Sequence, residues 1–242
     1  MTSWQGAWRL YQHEIRHSWV GIILSIVFFA YIAIVSSPIF SEFFAERNDP
    51  KQAWMWLVDF LYLTILPNMG FIMNRVMFRY WQNDPYTRKI AYWRTLPIGL
   101  VTIVIARMIQ LVTTLLVVGA FYFILQYVLV SDLRETLNLG QYILFAGFWF
   151  GYSWTMSSAY MYFEQAYNGK VYLIICFCFI VVYILIILAC WWGDFQPVRE
   201  SLGLAQNNNP IGAIVMVLIG AATMLASGHI IRKRLETRTL MN

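Results

Sequence analysis

The stretch 75-RVMFRYWQNDPYTRKIAYWRTLPI-98 separates two long apolar runs and carries five basic residues, Arg75, Arg79, Arg88, Lys89 and Arg94. Asp84 followed by Pro85 reads as a helix start. The carboxylate accepts from free N–H groups of the first turn, and the ring suits the first helical position, where no donor is needed. A helix from Pro85 to about Leu96 sets Tyr86, Ile90 and Trp93 on one face, at spacings of four and three, with Arg88, Tyr92 and Thr95 pointing elsewhere. Pro97 ends it and leads into the next apolar run. The stretch is therefore an amphipathic helix joined by a tight bend to a longer, apolar one. The plainer alternative is a basic loop between two membrane spans, a common place for Lys and Arg.

The composition on either side fixes the solvent of those apolar runs. With 60% hydrophobic residues, 18% aromatic, 12% charged and a mean hydropathy of +0.59, the chain has more apolar surface than a soluble core could hide. An integral membrane protein with an all-α fold is expected. The net charge of +5 gathers in a few loops, which points to topology and anionic lipid and not to nucleic acid. Cys176, Cys178 and Cys190 fall in one apolar segment without metal or redox spacing and read as small core residues. The first apolar run starts only near Trp19 and is long enough to span, unlike a cleaved signal.

Before that run, residues 4–19 form an amphipathic helix. Trp4, Trp8, Tyr11, Ile15 and Trp19 share one face, opposite Arg9, His13, Arg16 and His17. Such a helix lies in the membrane interface as an elbow. Six segments are long enough for a hydrocarbon core that takes about 20 helical residues to cross: about 20–40, 54–74, 98–130, 140–163, 171–192 and 210–230. The third is longer than a bilayer requires and contains Arg107, which is expected to snorkel to the headgroups. One six-helix domain spanning residues 1–242 follows. If both termini are cytoplasmic, the inner side holds Arg9, Arg16, Arg75, Arg79, Arg88, Lys89, Arg94, Arg107, Lys170, Arg232, Lys233, Arg234 and Arg238, leaving Arg47, Lys51, Arg134 and Arg199 outside. That asymmetry predicts a multi-pass plasma-membrane protein with both ends inside.

Within the spans, Asp59 is ionisable and is a candidate for a pathway or for intramembrane pairing, although its closeness to the outer interface would let it be hydrated. Gly147, Gly151, Thr155 and Ser158 form a stripe of small or hydroxylated residues, read first as a helix-packing surface and second, for Thr155 and Ser158, as a polar pathway lining. Gly220, Ala221, Ala222, Ala226, Ser227 and Gly228 suggest packing for the sixth span, and Pro67 is expected to kink the second.

His13-Glu14-Ile15-Arg16-His17 matches H-E-x-x-H, in which two imidazoles one helical turn apart hold zinc and the glutamate serves as general base. Glu164 or His229 could supply a third ligand. The histidines lie beside Arg9 and Arg16, however, where a dry zinc pocket is hard to build, so a membrane zinc protease is the alternative reading. No nucleophile elbow or nucleotide loop occurs, and no catalytic residue is assigned.

The order of elements resembles the permease subunit of a type 2 ABC exporter: an interfacial elbow, six spans with both ends inside, and a basic amphipathic helix ending in Leu96-Pro97-Ile98 with Arg107 ten positions later. Glu14 and Arg16 match the elbow's charged pair, while Ala106-Arg107 stands where Gly-Lys is commoner. The resemblance implies that Pro85 to Leu96 is a coupling helix docking on a separate ATPase. Tyr86, Ile90 and Trp93 would then be docking side chains, with Arg88, Lys89 and Arg94 as polar contacts, and Pro97 and Arg107 as transmission residues. It implies no cofactor in this chain, ATP and Mg in the partner, a second permease subunit as homodimer or heterodimer, and a hydrophobic or amphipathic substrate. It also allows short re-entrant helices between spans five and six, for which residues 193–209 have room. A non-transporting sensor or immunity subunit is the remaining class.

Overall fold

The structure is a computed structural model that describes residues 3–45, 53–73, 85–95 and 98–237. The described residues are helical almost throughout, without a β-strand. In chain order they form α1 (Ser3–His17), α2 (Trp19–Ala45), α3 (Ala53–Ile65), a 3-10 turn (Leu66–Gly70), α4 (Pro85–Thr95), α5 (Leu100–Leu129), α6 (Ser131–Thr136), α7 (Leu139–Ala166), α8 (Gly169–Trp192), α9 (Pro197–Gln206) and α10 (Ile211–Thr237).

Among the described residues, four helices are long and apolar enough to cross a membrane: residues Trp19–Glu42 of α2, and all of α5, α8 and α10. This is a membrane protein. The other two expected spans differ from those four in instructive ways. The helix α7 is long enough but carries Tyr, Trp, Ser and Gly along its length, many of them buried against neighbouring helices. The expected second span is not one kinked helix. Its α-helical part stops at Ile65, two residues before Pro67, and the chain continues as the 3-10 turn and then as extended backbone at Phe71. Thirteen α-helical residues reach about 20 Å. The five 3-10 residues add about 10 Å, so the pair together matches a hydrocarbon core although α3 alone falls short.

The helix boundaries have local causes. The side chain of Asn138 accepts from the Gln141 N–H (2.9 Å) while Gln141 accepts from the Asn138 N–H (3.0 Å), a reciprocal cap that starts α7. Asn168 does half of this for α8, accepting from the Val171 N–H at 3.0 Å. Asp194 and Asn208, the positive-φ non-glycine residues among those described, lie in the turns on either side of α9. Both residue types tolerate that conformation through short polar side chains.

The stripe on α7 is a packing surface. A β-carbon on Gly151 would lie 2.4 Å from the backbone carbon of Met216, and one on Gly220 3.1 Å from the carbonyl oxygen of Gly151. Only a missing side chain lets α7 and α10 approach this closely. Between α2, α3, α5 and α7 sits an aromatic core in which Tyr62 meets Phe40, Phe145 and Trp149 at centroid distances of 5.4, 5.8 and 4.7 Å. Its polar ends are satisfied internally: the Tyr62 hydroxyl donates to Gln126 Oε1 (2.9 Å) and the Tyr142 hydroxyl to the Phe123 carbonyl (2.6 Å).

Candidate functional site

At one end of the bundle, α1 and α4 are fastened to the long helices. Gly6 lets α1 lie on α5, since a β-carbon there would be 3.1 Å from the Thr102 methyl. Lys89 of α4 pairs with Glu14 of α1 and sits 4.7 Å above the Trp93 ring. Ile90 drops into a buried cluster with Val104 and Leu111 of α5, Met161 of α7, and Ile231 and Leu235 of α10.

Ile90 is 3% exposed and Trp93 8% exposed, so these two of the three apolar side chains expected to meet a partner are covered by the chain itself. Periodicity identified that face without revealing what lies against it. Facing outward instead are Arg88, Arg94, Thr95 and Tyr92, the last 63% exposed. Asp84, Leu96, Pro97 and the side chain of Tyr86 lie outside the described residues.

Deeper in the bundle, Arg107 does not snorkel. Its guanidinium donates to Glu164 of α7 (2.6 Å) and to Gln110 (2.9 Å), and lies 5.5 Å from the centre of the Phe71 ring. The two side chains are 11% and 1% exposed. A carboxylate from another helix thus compensates a cation that would otherwise need water. The same pairing removes Glu164 from the zinc alternative, just as Lys89 engages Glu14. His13 and His17 stack at 6.4 Å on the exposed face of α1, and the described residues contain no group of three or more His, Cys, Asp or Glu able to hold a metal.

Asp59 pairs with no side-chain cation among the described residues. It is a long-range helix cap: its Oδ1 accepts from the Val198 N–H (2.9 Å) at the start of α9, in a setting where the residue is 1% exposed. Two further ties hold α9, from the indole N–H of Trp149 to Ser201 Oγ (3.0 Å) and from Gln141 Nε2 to the Gln206 carbonyl (2.9 Å). The segment between the fifth and sixth expected spans therefore carries a fixed amphipathic helix, burying Val198, Leu202 and Ala205. Thr155 and Ser158 turn their hydroxyls back onto their own helix, to the carbonyls of Gly151 (2.9 Å) and Trp154 (2.8 Å), and Ser158 is fully buried. Neither lines the cleft described next.

That cleft, of about 270 Å³, opens between α3 with its 3-10 turn and α7 with α8. Thr64, Asn68, Tyr160, Tyr172, Cys176 and Tyr183 give it neutral polar groups among apolar ones, and the Tyr160 and Tyr183 hydroxyls are 3.3 Å apart. It can receive an uncharged or amphipathic molecule with a few hydrogen bonds, and its lining supplies no formal charge. Sequence reasoning missed these tyrosines because they look like interfacial aromatic residues. The available signal is that Tyr172, Cys176 and Tyr183 recur at spacings of four and seven on one face of an otherwise aliphatic helix. Compared with protein-family models, curated proteins and solved structures, the chain finds no match.

Proposed function

We propose that this chain is the membrane-spanning permease subunit of an ATP-driven exporter. It works with a separate ATPase subunit, and with a second permease subunit, to move a hydrophobic or amphipathic substrate out of the cell. The observation that carries this reading is the setting of α4. It is a short helix with an outward face of Arg88, Tyr92, Arg94 and Thr95, keyed into the bundle by Ile90 and tied to α1 through Lys89 and Glu14. A helix held so firmly from beneath while showing cations and a tyrosine outward is suited to receive force from a protein partner. A solvated loop would need no such seat.

Six spans, an elbow and a coupling helix complete the reading. In it, α2, α3 with its 3-10 turn, α5, α7, α8 and α10 cross the plasma membrane, and both termini lie in the cytoplasm on the strength of the Lys and Arg asymmetry. Trp4 and Trp8 of α1 stay exposed, as an elbow resting in the lipid interface requires. The cleft beside α8 is the candidate pathway, and its uncharged lining supports an amphipathic cargo. ATP with Mg belongs to the partner.

The test is co-expression with a nucleotide-binding subunit encoded beside this chain, followed by recovery of the complex in detergent. Wild type retains the ATPase; Arg88→Glu combined with Tyr92→Ala loses it while inserting normally. Absence of any ATPase from the wild-type preparation overturns the reading.

A further inference from the structure

Between Ile65 and Met73 the chain abandons α-helix geometry inside the bundle, and it does so for longer than one proline explains. Pro67 removes a single N–H, yet the 3-10 turn runs through Gly70 and Phe71 is extended (φ −114°, ψ 139°). Non-helical backbone at membrane depth persists only where protein covers it and completes its hydrogen bonds. Three helices do that here. From α7, Ser157 Oγ donates to the Pro67 carbonyl (2.5 Å). From α2, Ser25 Oγ accepts from the Met73 N–H (2.8 Å) and donates to the carbonyl of Gly21 (2.9 Å), whose missing side chain admits Met73. From α5, Leu111 closes on Gly70, where a β-carbon would be 3.3 Å away, and Arg107 reaches the Phe71 ring one turn earlier.

The break joins the two regions already described. Thr64 and Ile65 just upstream of it, and Asn68 within it, line the tyrosine cleft. In sequence, residues 74–84 separate it from α4. Its ties are side chain to backbone, so they can be released one at a time without unwinding a helix. The strongest tie nearby is the buried Arg107–Glu164 pair, which fixes the guanidinium against Phe71.

We propose that residues 66–73 are a hinge through which displacement of α4 reshapes the tyrosine cleft, with Arg107 and Glu164 as its latch. The use of that motion in export rests on the proposed function; the hinge itself is a property of this chain alone. Hinges of this kind absorb backbone rotation at element termini while the helices on either side stay rigid.

The experiment is backbone hydrogen exchange on the full chain in lipid nanodiscs, read at residues 66–73 and, as reference, in α10. Glu164→Gln keeps the shape and removes the charge of the latch; exchange at 66–73 is expected to rise at least tenfold more than in α10. Lys89→Glu, which sets two carboxylates against each other between α4 and α1, is expected to raise it severalfold. Ser157→Ala, which loses the hydroxyl tied to the Pro67 carbonyl, serves in place of the latch variant should Glu164→Gln fail to fold. No change at 66–73 in any folded variant overturns the hinge, and a change in the latch variants without one in Lys89→Glu overturns its link to α4. No ATPase is needed, so this result and the co-purification above can fail independently.

Discussion

Gly147 and Gly151 stand one turn apart on the same face of α7 and should respond oppositely to one added methyl group. On Gly147 the new carbon would meet the Ala213 β-carbon at 3.4 Å, an ordinary contact. On Gly151 it would lie 2.4 Å from the Met216 carbon, 2.5 Å from the Val217 nitrogen and 2.7 Å from the Met216 oxygen. Those obstacles are backbone and cannot rotate away, so α10 must retreat by about 1 Å along a contact built on close packing. Overpacking of this kind costs about 1–3 kcal/mol, and the helix-propensity gain of Ala over Gly offsets about 1 kcal/mol. Gly151→Ala should therefore destabilise by up to about 2 kcal/mol, and Gly147→Ala should be neutral or stabilising by up to about 1 kcal/mol. Together they differ by roughly 2 kcal/mol, a factor of about 30 in the unfolding equilibrium. Reversible SDS titration of the purified protein in mixed micelles, followed by tryptophan fluorescence, reads this directly. A Gly151→Ala protein as stable as Gly147→Ala would refute the close approach of α7 and α10.

Removing one partner of the buried ion pair should be far worse than removing both: Arg107→Met is expected to cost about 3–5 kcal/mol, and Arg107→Met with Glu164→Met to recover most of it, in the same titration. The Glu14–Lys89 pair is different, because the Lys89 side chain is 39% exposed. A double-mutant cycle with Glu14→Gln and Lys89→Met should give a coupling no larger than about 1 kcal/mol that falls with added salt. Asp59→Asn keeps an oxygen for the Val198 N–H, whereas Asp59→Ala does not. Only the alanine variant should lose about 1 kcal/mol and show faster exchange at Val198, and equal losses in both would assign Asp59 to its charge.

Much of the scaffold is written locally. The limits of α1, α5, α7 and α8 fall within three residues of those expected, because apolar runs, Asn caps and prolines act over one or two turns. The Gly151 stripe was legible for the same reason: four-residue spacing on a helix marks a face wherever that helix goes. What escaped depends on residues far apart in sequence. Pro67 announced a disturbance of the second span, but its extent is set by Ser25 and Ser157, which lie on other helices. Arg107 looked destined for water until α7 supplied Glu164, 57 positions away. Ile90 and Trp93 carried a clear apolar face whose covering no pattern could name, and Asp59 advertised an ionisable group without revealing that the start of α9 uses it.

The helix α7 has a consequence for biogenesis. It is the expected span that has full length yet lacks the hydropathy of its neighbours, because its serines, glycines and indole groups are matched to α10, α9 and α3 and not to lipid. Three of its native neighbours, α8, α9 and α10, are made after it. If α7 crosses the bilayer, as in the proposed function, it must wait during synthesis until residues beyond 211 emerge and bring Met216 over Gly151. A chain arrested after α8 should leave α7 to the insertion machinery and its chaperones, so the last helix acts as the closing stave that retains a helix made some 70 residues earlier.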